Sequence, residues 1–146
     1  MWAAHMEACE IDGLVVAIDI EDHTEMASQR SLWDRRVRFL HGSTVDPAIV
    51  ARVTDLVRDR RTMVILDSDH HADHVRAELA AYASLVTPGC YLIVQDMLTE
   101  VLLPDHGPGP ITAVEEFLTG DDRFVVDRDR ECLILTMCPS GWLRRL

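Results

Sequence analysis

Along this chain, short and wholly apolar runs alternate with stretches whose apolar residues recur every three or four positions. The first pattern predicts buried parallel strands and the second amphipathic helices. Strands are expected at Leu14–Ile20, Val37–His41, Thr62–Leu66 and Cys90–Val94. Trp2–Cys9 reads as the end of a helix, with Gly13 as the break behind it. Thr24–Leu32 predicts a helix with Thr24 as N-cap. Asp46-Pro47 opens another to about Arg60, with proline at the favoured first position and Ile49, Val50, Val53, Leu56 and Val57 at helical spacing. A helix from Asp69 to Ser84 turns Val75, Leu79 and Tyr82 inward. Met97 to Pro110 is punctuated by Pro104, Gly107, Pro108, Gly109 and Pro110 and predicts a loop. Ile111–Leu118 follows as a helix capped by Gly120. Phe124–Val126 and Cys132–Met137 read as two strands joined by the charged turn Asp127–Arg130, hence antiparallel, and Pro139–Leu146 as a short, partly basic tail. Strands alternating with helices and closing on an antiparallel edge predict a doubly wound α/β sheet in one domain, residues 1–146.

The apolar runs end in acids. Thr62–Leu66 stops in Asp67-Ser68-Asp69-His70-His71, Tyr91–Val94 in Gln95-Asp96, and Leu14–Ile20 near Asp19 and Glu21. Ligands of open α/β sheets sit beyond the carboxyl ends of the strands, so chemistry is expected there. Asp67 and Asp96 suit a hard cation, which prefers oxygen donors and often takes only one or two carboxylates. They equally suit the N-termini of the helices that follow. His70 suits a general base, since its ordinary pKa of about 6.5 matches proton removal near neutrality, and it also suits a solvent-facing first turn. His70 and His74 share a helix face, but no Glu follows His70 as in HExxH and no third zinc ligand is evident. His71 and His74 are expected at the surface. Asp19 reads either as a ligand-binding acid or as a solvated turn residue, and Glu115-Glu116 as a solvated helix face.

Composition narrows the partners. The 146 residues carry a formal net charge of −11, which argues against nucleic acid. All fourteen basic residues are arginine. No apolar run approaches the ~20 residues of a membrane helix, and the N-terminus lacks signal-peptide features, so a cytoplasmic protein is expected. The four cysteines, Cys9, Cys90, Cys132 and Cys138, show no CxxC spacing; Cys90 and Cys132 lie in apolar runs, and all four read as reduced structural thiols. Neither GxGxxG nor GxxxxGK[ST] occurs.

Six segments, LVVAIDI, RFLHGSTVDP, MVILDSDHHADHV, GCYLIVQD, GPGPITAVEEFL and ECLILTMCPSGWLRR, together resemble the cephalosporin hydroxylase family, which includes rhamnosyl O-methyltransferases. The resemblance spans nearly the whole chain. It implies a Rossmann-like, class I S-adenosylmethionine-dependent methyltransferase fold with sheet order 3-2-1-4-5-7-6 and an antiparallel C-terminal edge. The implied activity is O-methylation of a glycoside or small-molecule hydroxyl, with S-adenosylmethionine and Mg²⁺ or a similar divalent cation as cofactors. By the same resemblance Asp19 binds the cofactor's ribose hydroxyls, and Gly42, Ser43 and Thr44 lie near its adenine. Asp67 and Asp96 match metal ligands, and His70 matches a general base. Gln95 stands in the metal set where the family usually carries a second acid. Strand 1 and its glycine-rich methionine-binding loop have no match, which implies an N-terminally incomplete domain. Either a second copy in a homo-oligomer or a partner segment fills the gap, or the two halves close up on each other, or the chain folds poorly alone. The competing reading is a truncated, catalytically inactive remnant serving as a binding or assembly module. The missing strand and Gln95 favour that reading for the isolated chain, and the preserved DSDHH favours the enzyme.

Overall fold

The computed structural model describes residues 1–22, 33–133 and 135–146. The helix expected over Thr24–Leu32 lies outside the described residues. Contacts divide the chain into two units, Met1–Leu56 and Val57–Leu146. The first holds helix α1 (Trp2–Ala8), strand β1 (Val15–Asp19), the short helix α2 (Trp33–Arg36) and strand β2 (Val37–His41). Helix α3 (Pro47–Val57) closes it. β1 and β2 are parallel, with Val15 opposite Val37 and Asp19 opposite His41. The Arg36 guanidinium ties the unit together, donating to the Glu7 carboxylate and to the carbonyls of Ile11 and Gly13.

The second unit runs through strand β3 (Val64–Leu66), helix α4 (Ala72–Tyr82) with a 3₁₀ turn at Ala83–Leu85, and strand β4 (Tyr91–Val94). After these come the short helix α5 (Thr99–Leu102), helix α6 (Pro110–Gly120), strand β5 (Phe124–Val126) and strand β6 (Trp142–Arg145). Its sheet has the order β3-β4-β6-β5, parallel at β3–β4 and antiparallel at both β6 pairings. The core is the apolar run Leu92-Ile93-Val94 together with Leu143, Val75, Leu79, Tyr82, Ala113 and Val114, all buried. The alternation of buried run and amphipathic helix seen in the sequence is what places these side chains inside. α4 lies against α6, and Arg76 on α4 reaches Glu116 on α6 at 2.5 Å. The two sheets correspond to the 3-2 and 4-5-7-6 portions of the order implied by the family resemblance. Among the described residues no strand corresponds to strand 1.

Two expectations are corrected. Cys132–Met137 is not a strand among its described residues, and Leu133 and Leu135 are each 76% exposed. The partner of β5 is instead Trp142–Arg145, from the segment read as a tail. Its Leu143 is fully buried, Trp142 meets Tyr91 edge-on at 6.0 Å, and Arg145 donates to the carbonyls of Ser84 and Val86. These contacts give a strand to a short, partly basic sequence. Gly141 precedes it where the backbone crosses β4 so closely that a Cβ would collide with the Val94 carbonyl. The second correction concerns 97–110, which is not wholly irregular. Both the backbone N–H and the hydroxyl of Thr99 donate to the Asp96 carbonyl, at 3.0 and 2.8 Å, starting α5. A 3₁₀ turn follows at Pro104–His106.

The cysteines are free, but not buried where expected: Cys132 and Cys9 are exposed, Cys90 is half-buried, and Cys138 is the buried one. Burial pushes the Cys138 thiol above its ordinary range, and the thiol donates to Gln95 Oε1 at 3.0 Å. The thiolate is the reacting form, so Cys138 should be inert near neutral pH. A thiol titration of native protein is expected to modify Cys9 and Cys132 promptly and Cys138 only after denaturation. A Cys138→Ala variant that lost a fast-reacting thiol would contradict this.

Candidate active site

The parallel register of β3 and β4 sets Leu66 opposite Val94, and the ladder continues one step with Gln95 N–H donating to the Leu66 carbonyl at 2.9 Å. The two carboxyl ends are therefore level; the next side chain is Asp67 on β3, and on β4 Gln95 followed by Asp96. Asp96 sits in the left-handed region at φ 48°, a conformation aspartate tolerates better than most residues. His70 lies three residues beyond Asp67, ahead of α4, which begins at Ala72 rather than at the expected Asp69. Its Nε2 is 3.7 Å from Asp67 Oδ1 and 3.6 Å from Asp96 Oδ2. Both distances exceed a hydrogen bond, and this nitrogen is buried without a hydrogen-bond partner. One donor atom from each of the three residues lies within 4.8 Å of the others.

The turn carrying these groups is held from several sides. Asp69 Oδ1 accepts from His71 N–H at 3.0 Å and lies 2.6 Å from His71 Nδ1, and these bonds hold the Asp69 carboxyl below its usual range. The His71 ring stacks on His106 with centroids 4.1 Å apart. Ala72 N–H, at the start of α4, donates to the Pro108 carbonyl at 3.0 Å. Beside it, a Cβ on Gly109 would stand 3.2 Å from the His70 carbonyl and 3.0 Å from Glu100 Oε2. Glu100 caps α6, accepting from Gly109 N–H at 2.5 Å and Thr112 N–H at 3.3 Å through Oε2, while Oε1 accepts the Thr112 hydroxyl at 3.0 Å. Ser68 donates to the buried carboxylate of Glu78 at 2.7 Å.

Of the residues expected at the site, the structure brings Asp67, His70 and Asp96 together. Gln95 is adjacent, with its side-chain oxygen on the Cys138 thiol. Asp19, Gly42, Ser43 and Thr44 belong to the first unit, at the carboxyl ends of β1 and β2. There Gly42 N–H donates to the Asp19 carbonyl at 2.8 Å, and Asp19 Oδ1 accepts from Glu21 N–H at 2.9 Å. Ser43 Oγ faces Val45 N–H at 3.4 Å. His71 is exposed as expected, but the His74 side chain is only 21% exposed, with Nε2 3.7 Å from Glu78. Glu78 and Glu100 escaped the sequence reading, and Gly109 was read there only as part of a loop. For Glu78 a signal existed, since position 78 falls on the same helix face as Val75, Leu79 and Tyr82.

The family model described as Rhamnosyl O-methyltransferase/CmcI matches residues 1–146. The rhamnosyl O-methyltransferase of Mycobacterium tuberculosis is 31% identical over 137 residues, covering 88% of this chain and 55% of the relative. That of Mycobacterium leprae is 31% identical over 116 residues, covering 75% and 50%. The chain thus spans about half the length of the curated relatives it matches. Among solved structures it is similar to MycE methyltransferase from the mycinamycin biosynthetic pathway in complex with Mg, SAH and mycinamycin VI. That similarity has a TM-score of 0.59 at 22% identity, over 79% of this chain and 33% of that one. A second MycE structure, with Mg and SAH, gives 0.56 at 23% identity, over 73% and 28%. These likenesses show a shared Rossmann-like methyltransferase fold, and the match over all 146 residues shows that the chain belongs to the rhamnosyl O-methyltransferase/CmcI family.

Proposed function

We propose that this chain carries the acceptor-activating part of an S-adenosylmethionine-dependent, divalent-metal-assisted O-methyltransferase acting on a sugar or small-molecule hydroxyl. The observation that carries the reading is the buried, unpartnered His70 Nε2 facing the carboxylates of Asp67 and Asp96 at 3.6–3.7 Å. The donor set fits a hard cation, which prefers oxygen and often takes only one or two carboxylates, and an oxygen of Asp67 lies within 4.8 Å of one of Asp96. Asp67 and Asp96 would hold the ion. Gln95 is a neutral oxygen donor beside them, provided it gives up the Cys138 thiol. When bound, such an ion lowers the pKa of a hydroxyl and templates its position. MycE was solved with Mg and SAH, which supports the same pairing of groups here.

His70 takes the proton of the acceptor hydroxyl at Nε2, where it lands between two carboxylates. S-adenosylmethionine, when bound, would supply the methyl group that the deprotonated acceptor oxygen takes. Asp19 would hold its ribose hydroxyls, and Gly42, Ser43 and Thr44 its adenine. The glycine-rich loop that would hold the methionine end has no counterpart among the described residues. Acceptors carrying a rhamnosyl or related hydroxyl are the natural first substrates, given the names of the relatives. The preserved cluster favours this reading over an inactive remnant.

Transfer of a labelled methyl group from S-adenosylmethionine to p-nitrophenyl rhamnoside tests the proposal. Transfer should cease on adding EDTA and return with excess Mg²⁺. Turnover indifferent to EDTA would sink the metal assignment.

A further inference from the structure

We infer that Glu78 is a positioning residue for the site, acting through Ser68 on the turn that carries Asp67 and His70. The inference rests on the proposed reading of Asp67 as a cation ligand. Glu78 is 1% exposed and is the buried charged side chain of the core among the described residues. A buried carboxylate is costly unless it is hydrogen-bonded, and here the bond comes from Ser68 Oγ at 2.7 Å. His74 Nε2, at 3.7 Å from the same oxygen, is beyond hydrogen-bond reach. The carboxylate's charge is felt one turn further along α4: burial and Glu78 together push the Tyr82 phenol up to about 12.

Packing does not explain this acid. Residue 78 shares the inward stripe of α4 with Val75, Leu79 and Tyr82, all buried, where an apolar side chain of similar volume would be neutral or stabilising. What the carboxylate does is local. Helical side chains lean toward the N-terminus, so Glu78 reaches back from the second turn of α4 to the residue between Asp67 and Asp69. Asp67 is the acid directly before Ser68, and Asp69 holds the backbone that presents His70 through its bond to His71 N–H. One buried acceptor therefore adds an anchor from inside the core to the segment between β3 and α4. Outer partners of this kind typically change metal affinity by roughly 10–100-fold.

The test is Mn²⁺ affinity, read by electron paramagnetic resonance or calorimetry on the intact chain. Glu78→Leu and Ser68→Ala should each weaken binding roughly 10–100-fold, and the double variant should be no worse than the weaker single one. Glu78→Gln, whose amide oxygen still accepts the hydroxyl, should stay within about threefold of wild type. Asp67→Ala is the reference. If it loses binding while Glu78→Leu and Ser68→Ala keep it, the positioning role is overturned and the metal site stands. If Asp67→Ala keeps full affinity, the site reading falls and takes this inference with it. Should Glu78→Leu fail to fold, Ser68→Ala, a change at an exposed residue that keeps Glu78 in place, decides by the same criterion.

Discussion

Asp67→Ala is expected to abolish measurable divalent-cation binding and, with it, cation-dependent methyl transfer. Losing a direct carboxylate ligand should cost more than the roughly 10–100-fold attached to an outer partner. What remains is one carboxylate, with the Gln95 amide and an imidazole beside it, a poor set for a cation that prefers hard, charged oxygen. The Asp67 side chain is 64% exposed, so its removal should leave stability within about 0.5 kcal/mol, as for ordinary surface substitutions. Affinity and fold are thus separable at this position. Asp96 calls for a different substitution. Its backbone is left-handed at φ 48°, where alanine would add roughly 1 kcal/mol of strain. Asparagine tolerates that conformation and removes only the charge, so Asp96→Asn is the informative variant. Loss of Mn²⁺ binding at unchanged melting temperature is the expected result for both. Unchanged affinity in both would remove the strand ends from the site.

His70→Gln should separate proton transfer from metal binding. The expected result is a fall in kcat of about 10²–10⁴-fold, the usual worth of a positioned general base. Mn²⁺ affinity should stay within about threefold, because the carboxylates rather than the imidazole hold a hard ion. Glutamine fills much of the same space, which matters for a side chain only 27% exposed. Collapse of metal affinity in this variant would make His70 a ligand instead. Unchanged turnover would leave the reaction without its base.

The legibility of this chain in its sequence was uneven for a physical reason. Buried parallel strands announce themselves locally, so β2 was read at its observed bounds, Val37–His41, and the acid-tipped ends of β3 and β4 located the Asp67–His70–Asp96 cluster. β6 does not announce itself. Trp142-Leu143-Arg144-Arg145 becomes a strand through distant partners on β4 and β5, and through the carbonyls that accept from Arg145. Cys132–Met137 has the apolar content of a strand, yet its leucines are exposed. Fold class, cluster and family resemblance therefore came from local patterns. The order of the last strands, and the acids Glu78 and Glu100, depend on tertiary neighbours that spacing does not encode. Even so, a Glu on the Val75–Leu79–Tyr82 face was a sign that its burial had a purpose.

The capping of α6 by Glu100 bears on which small molecules this unit can accept. A free helix N-terminus is a ready-made cradle for phosphate. At α6 the chain's own carboxylate already takes the Gly109 and Thr112 N–H groups, and at α4 the Pro108 carbonyl takes Ala72 N–H. A phosphate arriving at either end would first have to displace the carboxylate or the carbonyl already bonded there.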